Sequence, residues 1–328
     1  MTSRPPAMAL PRVIHAAQWA LLVPLALSLA TRTWYDHEWM AWALLAVTAA
    51  VWAPDMRHGP RRWWFFYVAG LFVYTLLRAE ADEFAFPVHV DYVIRFDQWL
   101  FRGEEPVVWL QSKFFSPSEV SVFDVIATQV HWSYFVVPHA LAGVVYVWRR
   151  SLFSRYIMML LAVNYIGLLC FYLVPTAPPW LASQYGHIGP VYRVMEFVGG
   201  SMDAETYRTL YSALGEPNVV AAVPSIHMAV TFAAYLWVRR VFPSVAPAFL
   251  AYSALMAVSL MHLAEHYFFD LMVGVLVALA VDFIVARVGG PAEARITLEA
   301  GPAITRRERR GTALAGGGAD GGDRPQRK

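Results

Sequence analysis

Eight long apolar stretches constrain this chain more than any other feature. They cover residues 13–30, 38–53, 63–78, 130–148, 156–174, 223–242, 245–263 and 268–286. A helix that crosses a bilayer needs ~20 mainly apolar residues, with a range of ~17–25. The second and third stretches are the shortest. Trp63, Trp64 and Tyr67 suit the aromatic belt at a membrane surface and support the third. The first is longer than the ~7–15-residue core of a secretory signal, so it reads as a helix. Charged residues make up only 15% of the 328, against ~25% in an ordinary soluble domain. That excludes a soluble globule, a disordered chain and a disulfide-stapled secreted domain. The expected fold class is all-α: a polytopic membrane helix bundle of about eight transmembrane helices. Cys170, the single cysteine, lies inside an apolar run, and no disulfide can form within the chain.

Lys and Arg set the orientation. With eight crossings, 19 of the 26 fall on the side that holds both ends of the chain. Cytoplasmic loops carry such an excess, so both termini are expected in the cytoplasm. The long loops 79–129 and 175–222 then lie outside, and the plasma membrane is the expected location. A net charge of +2, with arginines scattered between apolar segments, excludes a nucleic-acid partner. The partners expected are the bilayer and a membrane lipid, and no feature sets an oligomeric state. Residues 1–288 read as one transmembrane catalytic domain. Residues 289–328, rich in Gly, Arg, Ala and Pro, read as a disordered cytoplasmic basic tail.

Segment 84–115 differs from the rest. Val90, Ile94, Trp99, Leu100 and Trp109 alternate with His89, Asp91, Arg95, Asp97, Arg102, Glu104 and Glu105. It is too polar to cross and reads as one or two amphipathic helices in the outer interface. There it either roofs a site or forms a structural collar.

Ionisable groups inside membrane spans are costly and are functional candidates by default. The densest group is His262, Glu265, His266 and Asp270, at the end of the seventh stretch and the start of the eighth. His227 stands near the start of the sixth. The sixth stretch starts outside, the seventh returns outside and the eighth starts there, so these residues meet at one face. His266 and Asp270 are spaced i, i+4 and share a helix face. A carboxylate beside an imidazole fixes its tautomer and leaves the other nitrogen as a nucleophile or base. Pro224-Ser225 before His227 reads as a helix start, whose free N–H groups favour a phosphate. Together these suggest phosphoryl transfer.

Two other readings use the same residues. His262-Leu263-Ala264-Glu265-His266 matches the H-x-x-E-H pattern of zinc hydrolases, with Glu265 as base. A proton-coupled lipid transporter is the other; it would lean on His139 and Asn164, which are more simply interhelical hydrogen-bond contacts.

At Pro224-Ser225-Ile226-His227 and His266-Tyr267-Phe268-Phe269-Asp270 the chain resembles the type 2 phosphatidic acid phosphatase superfamily. That superfamily carries P-S-G-H, then S-R-x5-H-x3-D, with an earlier K-x6-R-P box. The branch it most resembles is that of fungal inositol phosphorylceramide synthase. Pro175-Thr176-Ala177-Pro178-Pro179 and Asp97-x5-Gly103-x2-Pro106 support this, and the likeness covers residues 78–285. Ile226 replaces the motif glycine, Leu260 stands in place of the arginine after Ser259, and no K-x6-R-P box is present. The resemblance implies a six-helix phosphatase-like core. It implies that His266 attacks phosphorus to form a phosphohistidine, that Asp270 orients it and that His227 protonates the leaving oxygen. Water or an alcohol then resolves the intermediate, making the enzyme a lipid phosphatase or a phosphotransferase of lipid metabolism. The scheme needs no metal and no cofactor. The missing phosphate-gripping groups must be met by others: Arg78 first, with Ser225, His262, Asp97 and Arg193 as further substrate-binding candidates. Arg95, Arg102 and Arg208 also lie on the expected outer side.

Overall fold

The computed structural model describes residues 9–31, 38–56, 61–81, 86–201 and 218–288. The basic tail from residue 289 and Arg208 lie outside the described residues. The helices are α1 (Ala9–Thr31), α2 (Glu38–Trp52), α3 (Arg62–Ala79), α4 (Asp91–Leu100), α5 (Pro106–Phe114), α6 (Val122–Ser133) and α7 (Val137–Trp148). They continue with α8 (Phe153–Leu173), α9 (Pro179–Gln184), α10 (Val194–Ser201), α11 (Ile226–Val241), α12 (Ala246–His262) and α13 (Phe268–Val288). Among the described residues there is no β-strand, and the fold class is all-α as expected. Isolated bridges join His89 to Thr176 and Thr176 to Ala221, tying three loops together.

Helices stand at all eight expected positions, but length and composition qualify fewer of them as crossings. Arg150–Leu173, Pro243–His262 and Phe268–Arg287 are long and apolar enough. The fourth stretch, expected as one helix over 130–148, is broken. Val122–Ser133 and Val137–Trp148 meet at 45° and make a fourth crossing only as a pair. Pro138 explains the break, because it stands in the first turn of α7 and has no N–H with which to continue α6. The apolar parts of α1 and α2 are shorter, Ile14–Leu27 and Trp39–Trp52. α11 has 16 residues, bounded by Ser225 and by Arg239 and Arg240 in its last turn. Large apolar side chains nevertheless face outward, with Leu173, Leu276 and Phe283 each more than half exposed. Such a surface is stable in lipid and not in water, and the chain is an integral membrane protein.

The core lies where α8 meets α11. Phe153, Tyr156, Ile157, Leu160 and Val163 pack against Val230, Ala233, Ala234 and Trp237, all nearly inaccessible. α11 and α13 run side by side and are tied at both ends. The Ser225 N–H donates to the Asp270 carbonyl at 3.1 Å. At the other end, Arg240 makes a two-pronged ion pair with Asp282 at 2.5 and 2.6 Å. A Cβ built at Gly274 would lie 2.6 Å from the Ser225 carbonyl oxygen, so only glycine lets the helices approach this closely.

The turn between α12 and α13 aims Glu265 and His266. Ala264 sits in the left-handed region at φ 59°. The Glu265 N–H returns to the Leu260 carbonyl and the Ala264 N–H to Met261, a Schellman ending built on alanine. The start of α13 is capped from a distance. Both Asp97 oxygens accept, from the Phe268 N–H at 2.9 Å and the Phe269 N–H at 3.0 Å. Asp270 takes the Tyr267 N–H at 2.9 Å. Two carboxylates thus satisfy three backbone donors that α13 cannot bond within itself.

Candidate active site

A narrow cleft opens where α3, α11 and the 263–267 turn converge. His227, His266, Glu265, Arg78, Tyr134 and Asn218 are among the residues that line it. His266 comes from the turn and His227 from the first turn of α11, and their ring centres lie 5.7 Å apart. The zip between Ser225 and Asp270 sets that spacing.

His266 is oriented by its neighbour one turn on. Its Nδ1 faces Asp270 Oδ2 at 3.3 Å, and Asp270 is fully buried. With its proton held at Nδ1, the ring keeps the lone pair of Nε2 for the cleft. His227 is oriented differently, since its Nε2 lies 3.1 Å from Nε2 of His131 on α6. His227 Nδ1 is buried and has no hydrogen-bond partner among the described residues. Tyr134 also packs against the His227 ring, 4.5 Å between centres. Arg78, in the last turn of α3, is the only Lys or Arg among the described cleft-lining residues, and its Nε has no hydrogen-bond partner among the described residues.

The structure brings together His227, His266, Asp270 and Arg78. It places the other four candidates in the scaffold. Ser225 caps α11, its hydroxyl accepting from the Met228 N–H. Asp97 caps α13 as described, and burial pushes its carboxyl up to about 7 against the pull of the two amides. His262 turns away from the cleft. Its Nε2 meets Asp124 Oδ1 at 2.6 Å, both side chains fully buried, and its carbonyl accepts from Gln111. Asp124 itself closes the capping box of α6 with Ser121. Arg193 lies behind the cleft wall, stacked 4.6 Å over Trp180 and donating to Glu265 at 2.9 Å.

The H-x-x-E-H residues therefore diverge. His262 faces Asp124, Glu265 faces Arg193 and His266 faces Asp270, so no common point is left for a zinc ion. Among the described residues no group of three or more His, Cys, Asp or Glu is arranged to hold a metal. His139 bonds Tyr67 across α7 and α3. Asn164 instead bonds the Leu160 carbonyl of its own helix at 2.8 Å, a correction to its reading as an interhelical contact.

Ile226, the departure from the P-S-G-H motif, is accommodated from the opposite side. A Cβ built at Gly167 on α8 would fall 2.0 Å from Ile226 Cδ1. The side chain added at one position fills the space left at the other.

Comparison with known proteins gives the family. Residues 92–284 match the family model of the PAP2 superfamily. The chain is 28% identical over 179 residues to a phosphoinositol dihydroceramide synthase of Bacteroides thetaiotaomicron, covering 51% of this chain and 57% of that protein. It is 30% identical over 118 residues to the inositol phosphorylceramide synthase catalytic subunit AUR1 of Saccharomyces cerevisiae, covering 34% and 29%. The corresponding subunit of Schizosaccharomyces pombe is 31% identical over 121 residues, covering 36% and 29%. The chain thus spans little more than half the length of the bacterial relative and under a third of the fungal ones. No solved structure matches it.

Proposed function

The chain belongs to the PAP2 superfamily, and from that premise we propose that it is a membrane-embedded phosphotransferase moving a phospho-head group, of the phosphoinositol kind, onto a lipid alcohol. The observation that carries the reading is the pairing across one cleft of two imidazoles, one backed by a buried carboxylate. Nε2 of His266 attacks phosphorus and the bond to the leaving oxygen breaks. That oxygen takes a proton from His227. The imidazole bonded to phosphorus is cationic, and Asp270, accepting the Nδ1 proton, stabilises that charge. The acceptor hydroxyl then attacks phosphorus, passes its proton to His227 and releases His266. Positioned proton transfer of this kind is worth ~10²–10⁴-fold. Arg78 meets the phosphoryl oxygens. The relatives' names favour a sphingolipid-type alcohol as acceptor and an inositol phospholipid as donor. The cleft faces the extracytoplasmic side, with both termini in the cytoplasm.

The test incubates purified protein in detergent with a phospholipid labelled in its head group, with and without a ceramide-like alcohol. A labelled new lipid that needs both the alcohol and His266 establishes transfer. Free phosphate or phospho-head group alone would make the protein a hydrolase.

A further inference from the structure

His131 has no place in the motifs that identify the family, yet it touches the proposed acid. It lies on α6, remote in sequence from His227 on α11, and only 4% exposed. The two rings approach with their centres 4.5 Å apart and Nε2 facing Nε2 at 3.1 Å. Two nitrogens at that distance share one proton, since two bare lone pairs or two N–H groups would repel. Each ring keeps its Nδ1 buried, without a hydrogen-bond partner among the described residues.

We propose that His131 is the positioning residue of His227, holding a proton on its Nε2 so that Nδ1 is the nitrogen that gives and takes protons at the cleft. It does for His227 what Asp270 does for His266, with a neutral ring in place of a carboxylate. The proton balance closes over one turnover. Before reaction the pair carries one extra proton: Nδ1–H on His227, Nδ1–H on His131 and one N–H shared between the Nε2 atoms. As the phosphorus–oxygen bond breaks, Nδ1 of His227 gives its proton to the leaving oxygen and the pair becomes neutral. The shared proton stays on His227, so its Nδ1 is now a bare base. As the acceptor oxygen bonds to phosphorus and the bond to His266 breaks, that Nδ1 takes the hydroxyl proton and the starting state returns. A carboxylate at position 131 would bind the cation more tightly and make the acid weaker. A neutral imidazole holds the cation less tightly than a carboxylate would, so the proton leaves more readily. The charged and titratable groups around the pair are His266, Glu265, Arg78, Arg193 and Tyr134.

The proposal rests on the acid–base role assigned to His227, so its test has one arm independent of turnover. In ¹⁵N-histidine-labelled protein in detergent, neutral His227 is expected to show a protonated Nε2 and a bare Nδ1. In His131→Phe the ring loses its acceptor and that fixed tautomer becomes a mixture. An unchanged His227 spectrum in His131→Phe overturns the proposal whatever the enzyme's activity. In the second arm, His131→Phe is expected to lower kcat ~10²–10⁴-fold, the scale of a positioned proton transfer, with KM unchanged. His131→Gln, whose amide oxygen can accept the Nε2 proton, is expected to recover at least tenfold of that. His131→Asp is expected to move the alkaline limb of the pH profile, which reports the protonated acid, to higher pH. Wild-type kcat and pH profile in His131→Gln and His131→Phe together, or no difference between Gln and Phe in a folded protein, sinks the idea. If wild-type protein neither transfers nor hydrolyses a head group, the proposed function fails, and the spectra still judge the pairing.

Discussion

Gly274→Ala is the sharpest probe of how the site is assembled. The new methyl would sit 2.6 Å from the Ser225 carbonyl oxygen and 3.3 Å from the Ala229 nitrogen, both backbone atoms. No rotamer change relieves a backbone clash, so α13 must move off the start of α11 by about 0.8 Å to reach ordinary contact, judged by the close packing of interiors. A shift of that size stretches the Ser225–Asp270 bond out of hydrogen-bonding range, at ~1 kcal/mol. Overpacking adds ~1–3 kcal/mol, and alanine returns up to ~1 kcal/mol of helix propensity. The net cost is about 1–3 kcal/mol, small enough to leave a folded protein. The catalytic cost is larger. Asp270, one turn before residue 274, moves relative to His227, and a misplacement near 1 Å is worth on the order of 10²-fold in rate. The assay is head-group transfer by purified variants, with thermal melting in the same detergent. Gly143→Ala on α7 is the control, because a Cβ there meets nothing within 4 Å. It is expected to keep full activity and gain slightly in stability. Wild-type turnover and melting in Gly274→Ala would refute the claim that this contact spaces the two histidines.

Other outcomes follow from the same geometry. His266→Ala abolishes turnover while the melting transition persists, and Asp270→Ala lowers kcat with lipid binding intact; radiolabel transfer and vesicle co-sedimentation read the two. Burial holds the Asp97 carboxyl near 7 when folded, against 3.8 as its ordinary value. Being raised, it disfavours the folded state progressively as pH climbs through that window. Asp97→Asn, always neutral, is expected to flatten the fall in melting temperature between the ordinary carboxyl value of 3.8 and about 7. Reporter fusions in loop 175–222 are expected to read extracytoplasmic, and a cytoplasmic signal there inverts the proposed topology.

Much of this was legible in the residues, and the misses have physical reasons. Apolar runs place the helices because lipid exposure leaves a helix little choice of composition. The parity of crossings brings His227 beside the 262–270 cluster without any family knowledge. The i, i+4 spacing pairs His266 with Asp270. Partners distant in sequence were not legible. His262 looked like part of the site because it stands four residues before His266, but the helix ends between them and the Schellman turn reverses the direction. Asp97 looked like a ligand for substrate, and its ligands are the amides of a helix more than 160 residues away. His131 offered a signal, an ionisable residue at the edge of an apolar run. Nothing local told it from His139, which bonds Tyr67 instead.

The fit of Ile226 into the hollow at Gly167 has a mutational consequence. Neither residue can change freely while the other stays as it is. With isoleucine at 226, any larger residue at 167 meets a side-chain carbon at 2.0 Å. With glycine at 226, the hollow stands empty and its lining loses contacts. The two positions are therefore coupled in this chain. Enlarging position 167 is expected to be better tolerated once position 226 has shrunk. A variant with glycine at 226 is expected to melt lower, because the hollow at Gly167 is left unfilled.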